Sequence, residues 1–134
     1  MIKPDLAIAV DVGVAYDVPG MTSEKNEGKL GDGPLAILMD ATSIAHDGLR
    51  KHIKDVAEHH NIPIQWATTP GGGTDAGSIH VANEGIPTIT IGVPLRYMHS
   101  NVSVLNIDDY TNSVRLITEI VRSLNDDRYQ ALMW

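Results

Sequence analysis

Short apolar runs rich in β-branched residues alternate along this chain with stretches whose apolar residues recur at helical spacing. Four runs read as strands: 6–12 (LAIAVDV), 35–39 (LAILM), 64–69 (IQWATT) and 86–93 (IPTITIGV), the last being the most strongly β-like, with Pro94 as its stop. Between the second and third, 47–60 places Leu49, Ile53, Val56 and Ala57 on one face. Arg50, Lys51, Lys54, Asp55 and Glu58 cover the rest, which predicts an amphipathic helix. Ser43 or Asp47 is its expected cap, and Asn61 and Pro63 its end. A shorter helix is expected over 74–84, closed by Gly85. A final helix follows Asp108 and Asp109, with Val114, Leu116, Ile117, Ile120, Val121 and Leu124 on the arc that should pack on the sheet. The tail from Asn125 is expected to fray. Strands alternating with helices predict an α/β sandwich with a mostly parallel sheet, and no linker or repeat divides residues 1–134 into more than one domain.

Composition narrows the chemistry more than the fold. With 134 residues, 43% of them hydrophobic, the chain can bury a core. A formal net charge of −7 with scattered Lys and Arg lacks the basic footprint of a nucleic-acid or membrane-surface partner, so neither is expected. No window approaches the ~20 apolar residues of a membrane span, and a cytoplasmic protein is the default expectation. The chain has no Cys, which leaves His, Asp and Glu as candidate metal ligands.

Two of the strand-like runs deliver metal-competent side chains. Asp11 closes 6–12, and His99 stands in the polar tip RYMHS that follows 86–93. Sites in open α/β sheets form where strands end, so a carboxylate and an imidazole placed there could meet. Taken singly, each has a plainer reading: Asp11 as a turn acceptor, like Asp17 and Asp40, and His99 as an ordinary loop histidine. The turn PGGGTDAG has G-x-G-x-x-A spacing at Gly71, Gly73 and Ala76, yet the next strand ends in Val93 and Pro94 instead of the acidic residue a dinucleotide fold needs. Gly72 and Gly77 have P-loop spacing, but Ser78 stands where its Lys should be. What remains is a tight turn whose glycines allow positive φ, or a backbone surface lining a substrate cleft. His46, His52, His59, His60 and His80 share no ligand spacing on one helix face and read as solvated or core-edge residues. No G-x-S-x-G elbow supports a serine nucleophile. The Gly-, Pro- and charge-rich stretch 16–34 is longer than a simple connector needs to be.

Taken together, VDVGVAYDVPG at 10–20, LGDGPLAILMD at 30–40, GGGTDAGSIHVANEGIPTITIGVPLRYMHS at 71–100 and the closing helix resemble the M42 metallo-aminopeptidases. That family includes glutamyl and tetrahedral aminopeptidases, and some members have carried the label endoglucanase. The pairing of TDAGSIH with GVPLRYMHS is the most specific part of the resemblance. It implies a three-layer α/β sandwich of the zinc-peptidase kind, truncated on its N-terminal side. It also implies two divalent metal ions, Zn or Co, in the parent enzyme, a peptide substrate and a homo-oligomeric parent. The family's VDV aspartate binds one metal and its RYxHS histidine the other, which implies Asp11 and His99 as ligands. Asp17, Thr74, Asp75, Arg96 and Tyr97 fall in family motifs without being ligands, and are expected to orient the ligands or shape the substrate cleft.

This chain departs from the family pattern in what it lacks. A first histidine, a bridging aspartate, a Glu-Glu pair carrying the general base and an inserted dimerisation domain are not found in it, and Glu24, Glu27 and Glu84 are isolated. The expectation is a C-terminal portion of a catalytic domain, with no catalytic residue of its own and inactive alone. A non-catalytic assembly or ligand-binding module is the alternative. Strands cut from upstream neighbours are expected to leave apolar sheet surface or an open edge, and so to favour self-association.

Overall fold

A computed structural model describes residues 2–21 and 28–133. Part of the long excursion, including Glu24 and Glu27, lies outside the described residues. The elements are β1 (Ala7–Val14), β2 (Leu35–Asp40), α1 (Asp47–His59), β3 (Gln65–Thr69), α2 (Ala76–Ile79), β4 (Thr88–Leu95), α3 (Ile107–Ser123) and α4 (Asp126–Leu132). They form a four-stranded sheet in the order β1-β4-β2-β3. Pairings β1–β4 and β2–β3 are parallel and the central β4–β2 pairing is antiparallel, so the sheet is mixed.

Alternation along the strands sorts the side chains into two layers. Ala36 of β2 and Ile89 and Ile91 of β4 face Leu49, Ile53, Val56 and Ala57 of α1, Leu116 and Ile120 of α3, and Leu132 of α4. The opposite face carries Leu35, Ile37 and Ala67. There α2 and the loop before it lie against β1 and β4, and Thr74 Oγ1 meets Thr90 Oγ1 at 2.9 Å. Close approach across this face explains Gly13, where a Cβ would stand 2.3 Å from Leu35 Cδ1.

Several boundaries differ from the sequence pattern. Strand β1 runs on to Val14 because its pairing with β4 continues to Leu95, so Asp11 sits inside the strand instead of at its end. Strand β4 passes through Pro94. The pairing with β2 covers only Thr90–Gly92, so the proline falls where β4 needs no donor on that side. The helix expected over 74–84 is one short turn, Ala76–Ile79; Asn83 takes φ 54° and the Ile86 amide folds back to the His80 carbonyl. Helix α1 has His46 at its N-cap with no side-chain bond, and Asp47 pairs instead with Arg50 and Lys51 in the first turn. In the tail expected to fray, Asp126–Leu132 form α4: Asn125 caps it by accepting from the Arg128 amide, and Leu132 enters the core. On α3 the buried face is Asp109, Ser113, Leu116 and Ile120, while Val114 and Val121 stay exposed.

Candidate functional site

A cavity of about 150 Å³ opens on the face away from the main helical core. Asp11, Val12, Gly13 and Val14 of β1 line it, together with Ile37, Thr69, Gly72, Gly73, Thr74, Met98 and His99. The fold therefore brings Asp11 and His99 to one cleft, although they are far apart in sequence. Asp11 is exposed, and its Oδ1 accepts from the neighbouring Val12 amide at 2.7 Å, which leaves carboxylate lone pairs free toward the cleft.

The tip carrying His99 is held in an uncommon backbone conformation. Tyr97 and His99 have φ of 60° and 62°, in the left-handed region that non-glycine residues rarely adopt. Local bonds maintain it: the Tyr97 carbonyl accepts from the Ser100 amide at 3.2 Å, Ser100 Oγ at 2.6 Å and Ser103 Oγ at 3.2 Å. Arg96 and Val104 add a pair of backbone bonds behind the tip. Strain over-determined in this way is characteristic of sites that must present a side chain.

Asp17 and Arg96, singled out separately in the sequence, turn out to be partners. Arg96 Nε donates to Asp17 Oδ1 at 3.0 Å and Nη2 to Oδ2, a bidentate clamp between the loop after β1 and the tip after β4. The hydrogen bond from Arg96 holds the Asp17 carboxyl below the usual carboxylate range, with help from the Leu30 amide. Thr74 lines the cleft. Asp75 and Tyr97 are exposed and do not line it; Asp75 precedes α2 without capping it by its side chain.

The residue that the sequence did not mark as part of the site is Asp40. Only 6% exposed, its Oδ1 accepts from the Thr42 amide, Thr42 Oγ1 and the Ser43 amide, and its Oδ2 from the Thr74 amide and Thr74 Oγ1. Burial pushes its pKa up, but these bonds to the charged form win and bring it to about 2. Asp40 thus fixes the Gly72–Thr74 wall of the cleft through Thr74. Positive φ does not explain the glycines of this turn, since Gly71, Gly72 and Gly73 are not among the residues with φ above zero, and space explains only Gly73. A Cβ at Gly73 would stand 2.8 Å from Thr42 Cγ2. In the sequence Asp40 read only as a turn acceptor at the end of an apolar run, and nothing there tied it to Thr74.

Among the described residues no group of three or more His, Asp or Glu is placed to hold a metal ion. The cleft offers one carboxylate and one imidazole, donors that suit Zn or Co but fall short of a complete coordination shell. The result is an α/β domain with a mixed sheet, whose cleft is lined by a strand carboxylate and by the imidazole of a strained tip.

The sequence profile of the M42 glutamyl aminopeptidases matches residues 1–116. A glutamyl aminopeptidase of Lactococcus lactis is 38% identical over 126 residues, covering 94% of this chain and 34% of its own. A TET aminopeptidase from a marine-sediment archaeon of the Thaumarchaeota superposes with a TM-score of 0.90 at 35% identity, covering 96% of this chain and 36% of that one. The TET1 peptidase of Pyrococcus horikoshii, which can assemble into a tetrahedron or a large octahedral shell, superposes with a TM-score of 0.70 at 30% identity, covering 87% of this chain and 33% of that one. The chain spans about a third of the length of the curated relatives it matches, 36%, 36% and 34% for three of them. The chain belongs to the M42 family of aminopeptidases.

Proposed function

We propose that these residues are the C-terminal portion of the catalytic domain of a dinuclear, metal-dependent aminopeptidase that removes N-terminal residues from peptides. The observation that carries this reading is the shared cleft of Asp11 and His99 in a chain of M42 descent. Asp11 would hold one divalent ion and His99 the other; each is a single donor, so the remaining ligands and the general base would come from outside residues 1–134. A bound Zn or Co pair supplies Lewis acidity and an acidified water to such a site. The chain's own part is positional. The Asp17–Arg96 clamp and the bonds on the Tyr97 carbonyl keep His99 presented, and Asp40 keeps the Gly72–Thr74 wall in place beside the substrate. The parent is a homo-oligomer, as the assembling TET1 relative is, and cytoplasmic; among the described residues no helix is long and apolar enough to cross a membrane.

The test grafts residues 1–134 in place of the matching third of the Lactococcus lactis glutamyl aminopeptidase and assays aminoacyl anilides with added Zn or Co. The graft is expected to be active and the chain alone inactive. Asp11→Ala and His99→Ala in the graft should each lower kcat/KM beyond the ~10–100-fold that loss of an outer hydrogen-bond partner costs a metal site. Activity of the chain alone would overturn the incomplete site, and a graft that tolerates His99→Ala would overturn the ligand assignment. A folded graft without activity favours the non-catalytic module instead.

A further inference from the structure

Away from the cleft, α1, α3 and α4 meet around a buried histidine. His52 of α1 is 3% exposed, and its Nε2 lies 2.9 Å from Ser123 Oγ at the end of α3. Ser123 spends its only hydroxyl proton on the Ile120 carbonyl at 2.8 Å, so it accepts from His52, and Nε2 carries the ring proton. Nδ1 is then the lone pair of a neutral ring, and it is buried with no hydrogen-bond partner. A cavity of about 300 Å³ beside the ring is lined by Asp55, His59 and His60 of α1, Ser123 of α3 and Arg128 of α4. The charged groups facing His52 are therefore one carboxylate, Asp55, and one fixed cation, Arg128, with the imidazoles of His59 and His60 beside them. Glu119 of α3 lies beyond them, engaged with His60 and Arg122.

We propose that the docking of α4 on α1 and α3 is proton-sensitive, with His52 as the latch that holds the helix only while its ring is neutral. A second ring proton would sit on Nδ1 without an acceptor and place a buried cation opposite Arg128. Undocking of α4 relieves both, because it carries Arg128 away and admits water to the ring. The helix is small enough to move alone: seven residues, with Leu132 as its one buried side chain. Burial and the charge of Arg128 act in the same sense on His52, lowering its proton affinity from the ordinary 6.5. A lowered value in the docked state means that the undocked state binds the extra proton. The docking stability is thus fully present above pH 6.5 and is lost as the pH falls below it.

Amide hydrogen exchange of 126–132 in the full chain, corrected for intrinsic rates, reads the opening of α4 directly. Between pH 7.5 and 5.0 the opening constant should rise, by up to about tenfold per pH unit below 6.5, the slope set by one proton. His52→Gln, which keeps an amide donor for Ser123 and cannot be charged, should flatten that dependence. Arg128→Gln, at an exposed position, should reduce the rise, and it decides the matter if His52→Gln does not fold. Protection of α4 that is unchanged across this range overturns the proposal, as does a His52→Gln profile that superposes on the wild type. An Arg128→Gln profile identical to the wild type overturns it equally.

Discussion

Asp40 is the residue on which the cleft wall depends, and it accepts five hydrogen bonds from three residues. Replacing it with Ala leaves the Thr42, Ser43 and Thr74 amides without their acceptor, and should cost about 3 kcal/mol in urea unfolding at pH 7. The pH dependence follows from its lowered pKa. The unfolded carboxyl binds protons from about 3.8 and the folded one only near 2, so its contribution is present above 3.8 and is lost as the pH falls toward 2. The difference corresponds to about 2 kcal/mol. Asp40→Asn should remove that part of the acid destabilisation, and an unaltered acid limb would refute the assignment. At this scale the sequence pattern was informative about residue type and silent about pairing. Asp17 and Arg96 each stood out in a motif, but no spacing announces that residues so far apart form one bidentate clamp.

Among the elements, α1 followed its sequence closely, because a 3.6-residue apolar period is a local property that a single core face satisfies. Helix α4 did not. Its seven residues carry too few apolar positions to define a face, and its place in the core rests on Leu132 and on the close approach of the Leu132 backbone to Gly48. Leu132→Ala should therefore destabilise the domain by about 2 to 3 kcal/mol, with loss of exchange protection in α4. An effect below about 0.5 kcal/mol would mean that the helix is only loosely docked. Helix α3 illustrates a second limit. Its apolar residues exceed what one face can bury, and Ile107, Tyr110, Val114 and Val121 are left exposed along one flank. The contacts with α1 fall elsewhere on α3, at Arg115, Glu119 and Ser123, so this flank is turned away from α1.

For the whole molecule, the consequence is an open side. Among the described residues strand β1 is at the edge of the sheet, paired with β4, and Val10 and Val12 on it are 63% and 36% exposed. An unpaired apolar edge without Lys or Pro to block it favours association. Sedimentation over a concentration series should show a mass that rises with concentration, and Val10→Lys should suppress it; a strictly monomeric wild type would contradict this expectation. Sequence alone determined the α/β class, the strand runs, α1 and the M42 descent, because these rest on local periodicity and on contiguous motifs such as TDAGSIH and RYMHS. Tertiary structure alone decided the antiparallel β4–β2 pairing, the Asp17–Arg96 clamp, the role of Asp40 and the docking of α4 around His52. Each of those is a contact between residues distant along the chain. Local propensity carries no term for such contacts, and they form only when the sheet and its helices pack together.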